Sequence, residues 1–350
     1  MNGPTNAKLE APTPEVCVHI LDVGQGDAIV IVFPKTGRAL IVDAYDGDRV
    51  LELLERESVR ELVAFLTHSD NDHVAGLDRV LRNFQGKLLA VFWNLDKLGK
   101  GRYHRQYLEL TARATRDHQA WSGEFSTNLN YDWRLPTLSP NSVALEVLHP
   151  SHDDISALAG SSTNDASGVL RLVCSLGDGQ QQTVLLAGDL EITGMSRIFE
   201  RCADKLHADV LKYPHHGAWP TRQRASRKLP HLPLRTTEEF LSRVDPRVVV
   251  ISVGRANSKG HVSPRLFEAL ARLSAGSGRL HRVLCTQITE TCLASPVGGQ
   301  GVHCAHDIEL RMGRQIEGGL EVLPPPAQHE LRIEKVTSWA SAGCREIRGH

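Results

Sequence analysis

Residues 67–73 read Thr67-His68-Ser69-Asp70-Asn71-Asp72-His73, directly after the apolar run 62–66. Two imidazoles and two carboxylates fall in that short span. A loop at a strand end turns alternate residues toward one point, so His68 and Asp70 are expected to converge. The adjacent Asp72 and His73 then face a second point close by. Neutral imidazole with carboxylate is a donor set suited to Zn²⁺ or Mn²⁺. The competing reading is a polar turn whose Asp caps the next helix.

Two further stretches have the same form. Residues 184–189 are apolar up to Gly188 and end on Asp189. An ionised carboxylate at the end of a buried strand is costly unless it is paired or metal-bound. Its alternative is a cap for a helix starting near 191. Residues 208–217 run through Lys212 into Tyr213-Pro214-His215-His216-Gly217. Three such loops, each closing a strand, are harder to explain as three separate caps than as one ion-holding pocket. Which of His215 and His216 turns inward is open at this stage.

Outward from these loops, a flexible leader is expected over 1–15. Short β-branched runs bounded by Gly or Pro predict strands at 16–21, 28–33, 39–42, 62–66, 88–92, 143–148, 169–174, 184–187, 208–211, 248–253, 283–289 and 308–312. Helical spacing predicts helices at 48–57 (capped by Asp48), 74–84, 191–202 and 264–273. Residues 93–140 read as an insertion with a helix near 103–118. The main body is placed at 16–273, with a C-terminal extension at 274–350 that can pack on it. Strands in meander groups, each followed by a helix, predict a mixed α/β (α+β) fold and not a doubly wound parallel sheet. No GxGxxG or GxxxxGK[ST] occurs, and Gly24-Gln25-Gly26-Asp27 reads only as a tight turn.

The chain has 350 residues, with 41% apolar and 23% charged. That is an ordinary globular composition, long enough for a large core. Lys+Arg is 40 against Asp+Glu 41, a net charge of -1, which argues against coating nucleic acid by bulk positive charge. No run reaches the roughly 18 apolar residues of a membrane span, so no membrane partner is expected. The start lacks a basic segment followed by an apolar one, so a cytoplasmic address is expected. Seven cysteines, an odd number, suggest reduced thiols and not a disulfide framework. Cys285, Cys292 and Cys304, with His303 or His306, have spacings that fit no familiar zinc finger, and buried thiols are expected there.

In order, the HxDxDH stretch, the strand ending in Gly-Asp and the strand ending in Pro-His-His-Gly resemble the metallo-β-lactamase fold superfamily. Within it the pattern is most similar to ComEC-type hydrolase domains. The likeness includes His19–Asp27, Leu40–Asp43, Ile251–Gly254, Asn257 and Gly260-His261, and so spans roughly 16–273. It implies an αβ/βα four-layer sandwich with the metals at one edge, between the sheets. Asp70 stands where the superfamily usually has a second His. The resemblance implies that His68 and Asp70 hold one metal, Asp72 and His73 the other, and that Asp189 bridges both. The His215-His216 pair supplies a further ligand, and Asp43 orients ligands from behind. His149 is the candidate for the remaining superfamily His, and Asn164 and Ser167 match an Asn-rich stretch. DNA uptake itself is not implied.

The activity implied is metal-dependent hydrolysis by a water activated between two divalent metals, Zn or Mn, with Asp72, Asp189 and His261 as the catalytic set. A phosphodiesterase or nuclease is the leading expectation, with nucleic acid or a nucleotide as substrate. The alternatives are a small phosphoester hydrolase of choline-phosphate type and a catalytically weak binding or regulatory module. Two basic stretches suit phosphate, the competing reading being solvated surface charge on a loop and a helix. One holds Lys212, Arg222, Arg224, Arg227, Lys228 and Arg235; the other holds Lys97, Lys100, Arg102, Arg105, Arg113 and Arg116, interleaved with Tyr103 and Tyr107. Lys212 and Asn257 are expected at the substrate phosphate, and His261 at the phosphate or leaving group.

Overall fold

The structure is a computed structural model and describes residues 13–84, 86–94, 109, 121–124, 142–158, 162–220, 231–254, 259–287, 302–304 and 306–323. The chain first lays down β1 (Val16–Ile20), β2 (Ala28–Phe33) and β3 (Arg38–Ala44) as an antiparallel meander. Then β4 (Glu61–Leu66), β5 (Leu88–Trp93) and β6 (Trp121–Glu124) add in parallel after β3. A second sheet repeats the plan. β7 (Val143–His149), β8 (Val169–Gly177) and β9 (Gln180–Leu186) form a meander. β10 (Val210–Lys212), β11 (Val248–Ile251), β12 (Arg282–Cys285) and β13 (Val302–Cys304) follow in parallel. Finally β14 (Ile308–Met312) and β15 (Leu320–Leu323) return to the first sheet beside β1. The orders are β15-β14-β1-β2-β3-β4-β5-β6 and β13-β12-β11-β10-β9-β8-β7.

Strand alternation explains the layers. Val18, Ile20, Ile31, Val42, Val63 and Phe65 of one sheet meet Leu145, Leu172, Val184, Val210 and Val250 of the other in a shared buried core. The alternate residues face outward and are covered by helices. On the first sheet, Ile41, Ala64 and Leu66 pack with α1 (Gly47–Arg56) and α3 (Leu77–Asn83); the short α2 (Asn71–Val74) lies between these two in the chain. On the second, Leu185, Leu211, Val249 and Ile251 pack with α5 (Ile192–Cys202), α6 (Thr237–Val244) and α7 (Pro264–Ser277); α4 (His152–Ala157) precedes β8. Helix, sheet, sheet, helix is the four-layer sandwich.

Three expectations change. The α1 cap is Asp46, not Asp48: its side chain accepts from the backbone N–H groups of Asp48 and Arg49. The helix expected at 74–84 is α3, which starts only at Leu77; Val74 instead ends the short α2, and the break falls around Gly76. Gly76 lies against Gly47, and a Cβ on it would sit 2.1 Å from the Gly47 nitrogen. Residues beyond 273 supply strands to both sheets, so the sandwich runs on to Leu323. Most of the expected insertion, including its helix and basic residues, lies outside the described residues, as do Arg222, Arg224, Arg227, Lys228, Asn257 and Cys292.

Candidate metal centre

Because β3 and β4 run parallel, as do β9, β10 and β11, their carboxyl ends share one edge, where ligands gather in open α/β sheets. Asp43 closes β3. Thr67 to Asp70 follow β4, and Asp72 and His73 lie on α2. Asp189 follows β9, and His215 and His216 follow β10. Asp27 enters from the turn before β2. Asp43, His215 and His216 have φ of 61°, 50° and 52°, the left-handed region that ordinary residues avoid. Such local strain is characteristic of functional sites.

Asp189 is the centre of the cluster. Its carboxylate lies 3.2 Å from His73 Nε2, 3.9 Å from His68 Nε2, 3.7 Å from His216 Nε2 and 4.0 Å from His215 Nε2. His216 Nε2 is also 3.5 Å from Asp72. His68, His73, His216 and Asp189 are buried, whereas the Asp70 side chain is 45% exposed, 3.7 Å from His68 Nε2. Single donor atoms of His68–His73–Asp189, of Asp72–His73–His216 and of Asp27–Asp189–His216 each fall within 4.8 Å of one another.

The hydrogen bonds behind the rings fix which nitrogen faces the pocket. His73 Nδ1–H donates to Asp43 Oδ2 at 2.7 Å. The Thr67 hydroxyl donates to the same oxygen at 2.6 Å, so it accepts from His68 Nδ1–H at 3.0 Å. His216 Nδ1–H donates to the Ser252 carbonyl at 3.2 Å. All three rings therefore turn an Nε2 lone pair inward, toward carboxylate oxygens. Lone pair against lone pair is repulsive unless a cation or proton lies between. His68 Nε2, His73 Nε2, His216 Nε2, Asp189 Oδ1 and Asp27 Oδ1 are buried with no hydrogen-bond partner. Buried polar atoms without partners are rare, and five in one pocket fit a divalent cation.

The charges agree. Burial opposes ionisation of Asp189, but His73 and His216 outweigh it and hold the carboxyl well below its ordinary value. Burial likewise opposes a charge on His73, but Asp189 and Asp43 raise it well above the usual imidazole range. A proton thus takes the place that the donors offer to a cation. His261 differs. Burial and then the neighbouring His215 and His216 push it down to about 4. Gln25 Nε2–H donates to its Nδ1 at 3.3 Å, and its ring centroid is 5.4 Å from that of His215.

The other residues singled out in the sequence have these surroundings. Lys212 is fully buried and ion-paired with Asp27. Val210 faces the inter-sheet core, so Lys212, two residues on, faces it too. Arg235 lies over the Phe199 ring at 5.3 Å and pairs with Glu239. His149 is not brought to the centre: its Nε2 faces the Asp165 carbonyl at 2.8 Å and its Nδ1 faces Asp154 at 3.3 Å. Cys285 is buried and in register with Cys304, and His306 faces Asp22. Asn164 reaches His215 at 3.4 Å, and Ser167 Oγ accepts from the Asp189 N–H at 3.0 Å. Asp27 is the residue that sequence reasoning missed. The Gly-Gln-Gly-Asp turn held it, but nothing local showed that the turn opens onto the pocket. Glu191, 3.4 Å from His215, was missed likewise.

Two facing mixed sheets flanked by helices, with this His/Asp centre at one edge, match the four-layer sandwich that the resemblance to the metallo-β-lactamase fold leads one to expect. The chain's curated relatives include ComEC-like proteins. It is 24% identical to ComE operon protein 3 of Bacillus subtilis over 73% of this chain and 31% of the relative. It is 30% identical to Recombination protein 2 of Haemophilus influenzae over 71% of this chain and 25% of the relative. The chain thus spans about a quarter to a third of the length of these relatives. Among solved structures, the metallo-β-lactamase fold protein YhfI from Bacillus subtilis covers 73% of this chain and 93% of its own, at 12% identity and a TM-score of 0.43. No family model matches the chain. Among the described residues, no helix is long and apolar enough to cross a membrane.

Proposed function

We propose that the protein is a metal-dependent hydrolase that cleaves phosphodiesters, with nucleic acid or a nucleotide as substrate. The observation that carries the metal dependence is the set of buried, unpartnered Nε2 and carboxylate atoms around Asp189. His68, His73, Asp189, Asp72, His216 and Asp27 would hold the ions, with Asp70 at the rim. When bound, two divalent cations, Zn²⁺ or Mn²⁺, would polarise a phosphoryl oxygen and lower the pKa of a water. The carboxylate-rich donor set suits the harder Mn²⁺ better than an all-imidazole set does.

The chain's own residues do the positioning. Asp43 and Thr67 hold His73 and His68 in the tautomer that points Nε2 inward. Asp189 stands between the two groups of donors. His261 is neutral near pH 7, and with Nδ1 accepting from Gln25 it carries its proton on Nε2. That form donates a hydrogen bond to a phosphate or leaving-group oxygen. The phosphodiester assignment is supported by the name of one relative, Recombination protein 2, since recombination acts on nucleic acid.

The test is hydrolysis by the purified full chain, stripped and reloaded with Mn²⁺ or Zn²⁺. The substrates are single- and double-stranded DNA, RNA and bis(p-nitrophenyl) phosphate. Cleavage should depend on the metal, vanish with chelator and be abolished in Asp189→Ala with the far-UV circular dichroism unchanged. Cleavage confined to small phosphomonoesters would move the substrate to that class. No turnover with either metal would reject the hydrolase.

A further inference from the structure

A second group of metal-competent side chains lies on the outer face of the first sheet and shares no residue with the Asp189 centre. Cys17 and His19 are two apart on β1 and therefore share a face. Glu309 on β14 is directly opposite His19, and Arg311 is opposite Cys17. One donor atom each from Cys17, His19 and Glu309 falls within 4.8 Å of the others. Cys17 is 4% exposed and His19 2%, while Glu309 is half-buried. His19 Nε2 is buried with no hydrogen-bond partner. An imidazole nitrogen stranded in this way is costly unless something binds it.

We propose that Cys17 Sγ, His19 Nε2 and Glu309 form a separate site for a borderline-soft divalent cation of the Zn²⁺ class. The donors fit that chemistry. Thiolate, imidazole and carboxylate are all zinc ligands, and a thiolate with a carboxylate balances the ion's charge. Arg311 Nε donates to Glu309 Oε1 at 2.6 Å, which holds the carboxylate in place and leaves its second oxygen for a metal. Glu57, which follows α1 as its C-cap, adds negative charge close to Cys17 and His19. Without a cation, burial and then Glu309 push the Cys17 thiol up to about 12, so it stays protonated and inert. Metal binding forms the S–metal bond and releases that one proton to the solvent. The site would clamp β1, at the start of the described chain, to β14, near its end. Three protein donors leave a fourth position for water.

Co²⁺ and Zn²⁺ themselves are the probes, on the full chain. Co²⁺ should give a thiolate-to-metal charge-transfer absorption. It should persist in Asp189→Ala, disappear in Cys17→Ser and weaken in Glu309→Gln. In the Asp189→Ala background, zinc content should fall by about one equivalent when Cys17→Ser is added, and zinc should raise the Tm only while Cys17 is present. Because Cys17 is buried, Glu309→Gln, at a partly exposed position, gives a second reading: its zinc affinity should drop by about tenfold or more. Absence of the absorption overturns the site. So does its survival in Cys17→Ser, which would place the metal on another thiol, or an unchanged zinc affinity in Glu309→Gln.

Discussion

At the scale of single residues, the aim of His73 rests on Asp43, which accepts from its Nδ1–H and from the Thr67 hydroxyl and N–H. Asn tolerates the left-handed backbone that Asp43 occupies, so Asp43→Asn removes the charge without forcing the chain. Metal affinity should fall by about 10–100-fold in that variant while the melting temperature changes little. Equal affinity by calorimetric titration would show that Asp43 does not orient the ring. His68, Asp70, Asp72, His73 and Asp189 were legible because they are local: each follows an apolar run. Asp27 and Lys212 were not. Their pairing joins the start of β2 in one sheet to the end of β10 in the other. Only the stacking of the sheets shows that Lys212 points between them. The choice between His215 and His216 was hidden for a similar reason, since it depends on a bond to Ser252 beyond β11.

At the scale of elements, two contacts hold the site's supports in place. Gly47 and Gly76 let the start of α1 pass against the α2–α3 junction, and a Cβ at Gly76 would also meet the Ala44 carbonyl at 2.9 Å. Gly76→Ala should therefore cost about 1–3 kcal/mol by overpacking and shift α2, with Asp72 and His73 on it. Gly276→Ala, where a Cβ meets nothing within 4 Å, should instead stabilise α7 by about 0.5–1 kcal/mol. Urea unfolding of the pair checks both signs. The second contact is Asp154, which caps α4 through Ser151 and binds His149, Arg197 (at 2.6 Å) and Arg201. Burial opposes its charge, but His149 and Arg201 outweigh it and hold the carboxyl far below its ordinary value. Its stabilisation is thus full above about pH 4, where the unfolded carboxylate is also ionised, and drains as the pH falls from there toward the folded value. Asp154→Asn should cost about 3 kcal/mol near pH 7, and the deficit should shrink on acidification below about pH 4. A deficit that stayed constant with pH would exclude the charge as its cause. Sequence periodicity found α1 and α5 within a residue or two of their ends. It started α3 three residues early, at Val74, because the reason for the break at Gly76, its approach to Gly47, lies in another helix.

At the scale of the whole molecule, the fold is two copies of one plan, a meander followed by parallel strands, stacked so that their carboxyl edges coincide. The sequence order of strands and helices conveyed that mixed architecture, because each strand and its following helix are close in the chain. It did not convey where the sandwich ends, because β14 pairs with β1 nearly 300 residues away. Ile308, Leu310 and Met312 of β14 are each fully buried in the core between the sheets. Burying three such side chains contributes about 5–9 kcal/mol, a large share of the roughly 5–15 kcal/mol by which a typical domain is stable. Deletion of β14 and β15 would also leave β1 as an open edge, a template for aggregation. A chain ending at 305 should therefore be insoluble or lack a cooperative thermal transition. If the chain ending at 305 unfolded cooperatively at an unchanged temperature, the returning strands would be an ornament on the sandwich and not one of its walls.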